Sequence, residues 1–435
     1  MTRWFRAALG LEDESFSRIA GFFGLYLLLF GLLTLADGLS TALFVKRVGA
    51  ASLPLAYAVV AVANLVAIGF YVRLAERMGR IALLVGILLA TSVGFVGLWV
   101  LVKGQPAAIW YGAVFGLREV AYTLVLMHFG TVVQEYFTRE HLVRAMPLIY
   151  AGGRVGGLLG GATLSFTARA MPLGDLLLVC AGVGMAGVLA SLVLGKAMAP
   201  VFSAADDEAD AGLAGRNAQA LDQQARGSLG DFLRFVWASP LMRWQTITSL
   251  VYVGCRFVLN FQHNTYFETH FESEADFAAF MGTYTVAALS LSLFLQVAVV
   301  GRMVAAIGLK GGILGYGALL GGVMTLNAFG MDMTRAVLSR LAEVELRFGW
   351  RNPLNQLVIN KFSKALRVRV RAWSMGLLIP GATVATSALL GVVAATPVAL
   401  GASSVALGLG YLGSNIAMTR TWREPKPWLL RRLLG

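Results

Sequence analysis

The sequence predicts an all-α integral membrane protein with 12 transmembrane helices in two six-helix pseudo-repeats, and three observations carry that expectation. Apolar residues make up 57% of the 435 and charged residues only 14%, with a mean hydropathy of +0.71. A soluble domain carries about 25% charged residues. Apolar runs of the length that crosses a bilayer, about 20 residues, recur along the chain. They lack the short alternating segments of a barrel, so the spans are helical. Finally, Lys and Arg collect in alternate loops, the pattern that orients helical membrane proteins.

Taken in order, the spans fall near 18–44, 53–73, 81–103, 107–135, 144–170 and 174–198, then 242–268, 276–300, 311–330, 333–360, 370–395 and 397–419. The first follows Arg3, Arg6 and the acidic Glu12-Asp13-Glu14. It is longer than a signal-peptide core and has no cleavage site, so it reads as a retained span. Residues 199–241 are polar, with an acidic cluster at Asp206–Asp210 and an amphipathic stretch at 229–241. This gives a six-helix bundle at 1–198, a cytoplasmic linker at 199–241, and a second bundle with a basic tail at 242–435.

Placing both termini in the cytoplasm puts about 25 of the 36 basic residues on the inner side and five (Lys46, Arg47, Lys103, Arg169, Arg335) outside. The net charge of +13 is therefore a loop bias, and no nucleic-acid partner is implied. Arginine outnumbers lysine 29 to 7, as in a GC-rich bacterial genome, which makes the bacterial inner membrane the expected location.

Charge inside the spans is what points to function. On an α-helix at about 100° per residue, Arg340, Glu343, Arg347 and Arg351 fall within about 60° of one another, while Glu345 points away. Lipid does not tolerate such a stripe, so it should face protein or an aqueous cavity. The seventh span adds Tyr252, Arg256, Asn260, His263 and Asn264 on one face; the first adds Thr34, Asp37 and Thr41, and the fourth Arg118, Glu119 and Tyr122. With Arg154, six intramembrane arginines stand against Asp37, Glu119, Glu343 and Glu345, an excess of two positive charges. Planar guanidinium donors suit carboxylate or phosphate.

Other patterns are better explained by packing or are absent. Gly152-Gly-x-x-Gly156-Gly-x-x-Gly160-Gly has no phosphate-loop lysine and lies inside a span, where glycines four apart make a smooth face for close helix contact. Pro380-Gly381 marks a kink. The two cysteines, Cys180 and Cys255, lie in apolar spans and imply neither disulfide nor zinc. His263 and His270 with Glu268 and Glu272 match no metal-ligand spacing, and no nucleophile-base arrangement occurs. No enzyme, metal or cofactor is expected.

The halves echo each other. Phe137-Thr-Arg139, then Arg144-Ala145, has a counterpart in Phe362-Ser-Lys364, then Arg371-Ala372. After the second span, Arg73-Leu-Ala-Glu76-Arg77-Met-Gly79-Arg80 resembles the inner-loop signature of the major facilitator superfamily, without its leading glycine (Val72 stands there). The stretches Phe137–Gly161 and Leu346–Leu357, continuing to Arg367–Ala372, are similar to the ATP/ADP translocase-like branch of that superfamily. The resemblance implies a two-bundle transporter whose first, fourth, seventh and tenth spans line the solute path. Those are the spans that carry the polar faces. Exchangers of that branch carry intramembrane lysines, and here no lysine lies in a span interior, so no nucleotide-binding residue carries over.

The expectation is a monomeric secondary transporter of a small anionic solute, nucleotide or other phosphate or carboxylate compound, working by alternating access. Arg118, Arg256, Asn260, His263, Arg340, Arg347 and Arg351 would bind the solute. Asp37, Glu119 and Glu343 would pair with arginines or carry coupling protons, and Glu76, Arg77, Gly79 and Arg80 would act in the conformational loop. Two rivals are a transporter of lipid-like amphiphiles (a flippase) and a non-transporting scaffold or assembly factor with closed salt bridges. Membrane lipids are partners in every case.

Overall fold

The computed structural model describes residues 13–137, 139–201, 229–295, 299, 301–359, 370 and 373–421, and among them there is no strand. The helices are α1 (Asp13–Arg47), α2 (Leu53–Ala75), α3 (Arg80–Gly104), α4 (Ala108–Glu135), α5 (Arg139–Thr167), α6 (Leu176–Ala197) and α7 (Leu229–Ala238). They continue as α8 (Pro240–His270), α9 (Glu274–Phe294), α10 (Gly301–Asn327), α11 (Met333–Arg340), α12 (Asn352–Ile359), α13 (Ile379–Val393) and α14 (Pro397–Arg420). α11 and α12 are one helical path, joined through π turns at Leu341–Glu345 and Arg347–Arg351. A third π turn, Trp373–Leu378, leads into α13.

With α11–α12 counted as one and α7 set aside, the paths follow the twelve expected spans. Eight described segments are long and apolar enough to cross a membrane. α5, α8 and the 333–359 path fall outside that group because glycine and charge dilute them, and α13 because its α-helical part is only 15 residues long. The ninth path begins at Gly301, earlier than expected, since a short helical stretch precedes a break at Gly308 (φ 73°), a backbone conformation that glycine tolerates without strain.

Contacts group the described residues into two units. One draws on Met1–Val48, Ala63–Leu213 and Phe271–Leu289; the other on Gly49–Val62, Ala214–His270 and Ser290–Gly435. The grouping follows the chain halves except that the start of α2 joins the second unit and most of α9 the first.

The first unit is built on α5. A Cβ on Gly152, Gly156 or Gly160 would overlap the backbone carbonyls of Phe23, Leu27 and Gly31, so α1 and α5 touch main chain to main chain. One register along, Gly161 meets Gly282 of α9, and a Cβ on Gly282 would run into Ser165. The glycine stretch is thus two packing faces. Above it, Ser165 and Thr283 share a 2.7 Å hydrogen bond, and Arg169–Asp276 (2.8 Å) and Arg47–Glu274 (2.6 Å) tie the helix ends. Beneath it an aromatic core stacks Tyr26 on Phe129, centroids 4.4 Å apart, with Phe22 edge-on to Phe137 at 5.8 Å.

The second unit is organised on α8, which packs on α7, α11, α13 and α14. The expected amphipathic stretch forms α7, whose Phe232 and Val236 pack on Met242, Ile359 and Val370. The second and third π turns have a readable cause. Pro353 follows the second by two residues and Pro380 follows the third by two. Proline has no N–H for the carbonyl four residues back and its ring crowds that carbonyl. A turn of i→i+5 periodicity passes the carbonyl to the next amide. The charged stretch is therefore wider than an α-helix, and the single 100° stripe expected for it is redistributed.

Candidate substrate site

In the first unit the charges close on themselves. α4 presents Arg118 toward α1, where the guanidinium meets Asp37 Oδ1 at 3.0 Å, while its own neighbour Glu119 comes within 2.8 Å. Arg118 Nε donates to Ser40 Oγ at 3.1 Å, and the guanidinium lies 5.0 Å from the Phe115 ring centroid. Arg118 is buried, whereas Asp37 and Glu119 are partly exposed. Two carboxylates on one guanidinium leave this cluster formally −1. The expected substrate-binding arginine is here held by its neighbours.

In the second unit α8 and the π-helical path meet through Arg256 Nε and Glu343 Oε1 at 2.9 Å, with Arg256 lying 5.3 Å from the Phe257 ring centroid. The other Glu343 oxygen accepts from Asn260 Nδ2 at 3.2 Å, and Asn260 Oδ1 accepts from both Tyr57 and Asn264. Glu343 is 1% exposed, so its charge depends on these two donors. His263 is fully buried with Asn264 at 3.4 Å, and Arg340 and Glu345 are buried on the same path. Ser292 Oγ donates to the Glu345 carbonyl at 3.3 Å.

Two arginines on the path have no acidic partner among the described residues. Arg347 is partly exposed, its guanidinium 4.5 Å from the Phe348 ring centroid, and its buried Nε finds no acceptor. Arg351 lies flat on Tyr252, 3.5 Å from the ring centroid, with Nε donating to Tyr411 Oη at 3.1 Å. It lines a small cavity inside the second unit, walled by α8, α10, α12 and α14. The four charged positions expected on one stripe thus divide: Arg340 and Glu343 enclosed, Arg347 without a counter-charge, Arg351 in a separate pocket.

The conformational loop is simpler than expected. Arg80 reaches the Thr131 carbonyl near the end of α4 at 3.4 Å, and its own carbonyl bonds His128 Nε2 at 2.7 Å. Glu76, Arg77 and Gly79 are exposed, and the two side chains make no ion pair among the described residues. Sequence reasoning missed Tyr57, Ser40, Tyr316 and Tyr411. Ser40 lies one turn from Asp37 and had that signal; the tyrosines look like ordinary aromatic residues of apolar spans. The acidic cluster at Asp206–Asp210 and the repeat residues Phe362, Lys364, Arg367 and Arg371 lie outside the described residues.

No protein-family model matches the chain, and no curated protein matches its sequence. Solved structures do match. The crystal structure of the nucleoside transporter NupG superposes with a TM-score of 0.62 at 14% identity, covering 94% of this chain and 100% of that one. A POT family transporter in complex with 5-aminolevulinic acid gives 0.60 at 13% identity, over 92% and 96%. A bacterial homolog to human lysosomal transporter Spinster, inward-facing and unoccupied, gives 0.52 at 14%, over 94% and 96%. At such identity the likeness is one of fold, and it closes the structural argument: this chain is a multi-pass membrane protein with the twelve-helix major-facilitator-type architecture.

Proposed function

We propose that the protein is a secondary active transporter, not an enzyme, that moves a small anionic solute across the bacterial inner membrane by alternating access. The observation that carries the reading is Arg347, an intramembrane guanidinium with an unsatisfied buried Nε and no acidic partner among the described residues. A charge in a span is unfavourable by a few kcal/mol unless paired or wetted, and a carboxylate or phosphate from the solute supplies both partner and acceptor. Arg256 and Asn260 stand one helix away, held ready by Glu343, and can exchange that carboxylate for the solute's. The resemblance to the ATP/ADP translocase-like branch adds nucleotides to the candidate list, while the missing span-interior lysines favour smaller phosphates or carboxylates. Asp37, Glu119 and Glu343 are the groups that would carry coupling protons; a transport rate flat from pH 5 to 8 would remove them from that role.

The closed Arg118 and Arg256 pairs favour a second reading, a scaffold that transports nothing. One experiment separates the readings: thermal unfolding of the purified protein against nucleotides, sugar phosphates, dicarboxylates and lysophospholipids, with Arg347→Gln beside it. A ligand at 100 times its Kd stabilises by about 2.7 kcal/mol. The expected result is stabilisation by one anion class that vanishes in Arg347→Gln. Stabilisation by lysophospholipids alone would select an amphiphile transporter, and no response to any anion would favour the scaffold.

A further inference from the structure

The cavity around Arg351 is a different place from the Arg347 guanidinium and has its own chemistry. Its wall contains no Asp or Glu. Arg351 is held by a tyrosine hydroxyl and a tyrosine face, which orient the guanidinium without neutralising it. Its two terminal nitrogens make no hydrogen bond to any described residue. Beside it in the wall stands a further donor, Thr248 Oγ1, buried without a partner. Asn355, whose Oδ1 accepts from Gln245 Nε2 at 2.7 Å, has its own N–H groups to offer. The enclosed space, about 20 Å³ for the centre of a water-sized group, excludes a nucleotide and admits only a small oxyanion.

We propose that this pocket is a second binding site, within the second unit, for a tetrahedral phosphate-type oxyanion gripped by the free fork of Arg351. Bidentate pairing of a guanidinium with phosphate is the geometry its planar donors favour. The site anchors the α12 end of the π-helical path, because Arg351 is the last residue of the second π turn. It does not depend on what binds at Arg347.

The test is calorimetric titration of the purified full-length protein with inorganic phosphate at constant ionic strength, chloride replacing phosphate in the reference. One phosphate per chain is expected, with affinity unchanged in Arg347→Gln. Arg351→Gln and Thr248→Leu, which fills the pocket without touching its charge, should each weaken binding at least tenfold. If Arg351→Gln fails to fold, Thr248→Leu decides, its melting curve serving as the fold control. The proposal is overturned if the wild type binds no phosphate, if both pocket variants bind as well as wild type, or if Arg347→Gln abolishes binding. A short-chain phosphatidic acid run in parallel names the source: tighter binding than inorganic phosphate with the same variant pattern identifies a lipid headgroup, and weaker binding a free ion.

Discussion

Arg118 and Arg351 are both arginines in the middle of a twelve-helix membrane protein, and their surroundings could hardly differ more. Arg118 has two carboxylates and a serine hydroxyl within 3.1 Å; Arg351 has tyrosines and no acid. The contrast extends to the units that hold them. The first is glycine-seamed and regular, and its Arg118 is matched by acids of its own. The second is interrupted by π turns and carries two guanidinium groups, Arg347 and Arg351, that have no acid beside them among the described residues. A charge that the protein neutralises itself is a structural strut; one without a neighbouring acid is where the proposed ligands would act.

The sharpest way to break this comparison is to strip Arg118. Replacing Asp37 by Asn and Glu119 by Gln together removes both carboxylates from a buried guanidinium and should cost about 3–5 kcal/mol in detergent unfolding. A loss under about 1 kcal/mol would mean that the first unit tolerates an open charge as the second does. Next comes the Arg256–Glu343 pair, whose partners are unequally buried, 30% exposed against 1%. Arg256→Met strands an enclosed carboxylate and should cost about 3 kcal/mol, while Glu343→Gln leaves Arg256 access to water and should cost about 1 kcal/mol. The reverse order would show that the guanidinium is the dependent partner. Smallest is the glycine contrast. Gly156→Ala drives a methyl into the Leu27 carbonyl and should lose about 1–3 kcal/mol. Gly322→Ala, with nothing within 4 Å of its Cβ, should gain about 0.5–1 kcal/mol. Equal melting temperatures for these two variants would erase the difference in packing between the units.

What could be read from the sequence depended on whether regular helix geometry held. The glycines at 152, 156 and 160 were legible because α5 is a regular helix there and a four-residue repeat maps onto one face. Asp37, Arg118, Arg256 and Glu343 were legible as charges in apolar surroundings that would pair, though which acid meets which arginine was not, since that is set by packing that no single span encodes. The 340–351 stripe misled because a 100° turn was applied to a stretch that widens twice. Pro353 was the available signal, standing in the right place to spoil an α-helical hydrogen bond, and Pro380 repeats the device in the next span. Tyr57, Tyr316 and Tyr411 gave no warning: a tyrosine in an apolar run is unremarkable until its hydroxyl has somewhere to go.

The seam where Gly161 meets Gly282 carries one more implication. Most helix pairs behave like meshed gears, for a side chain must climb out of one groove before it can settle in the next. Here the two glycines have no tooth of their own, and only Thr285 of α9 and Ser165 of α5 stand beside them. Axial travel of α9 along α5 therefore meets only small side chains at the seam, and the firmer stops are the Arg169–Asp276 latch and the Ser165–Thr283 bond. A bearing with its catches at one end glides once they release, which is the mechanical property that small sliding motions between packed helices require.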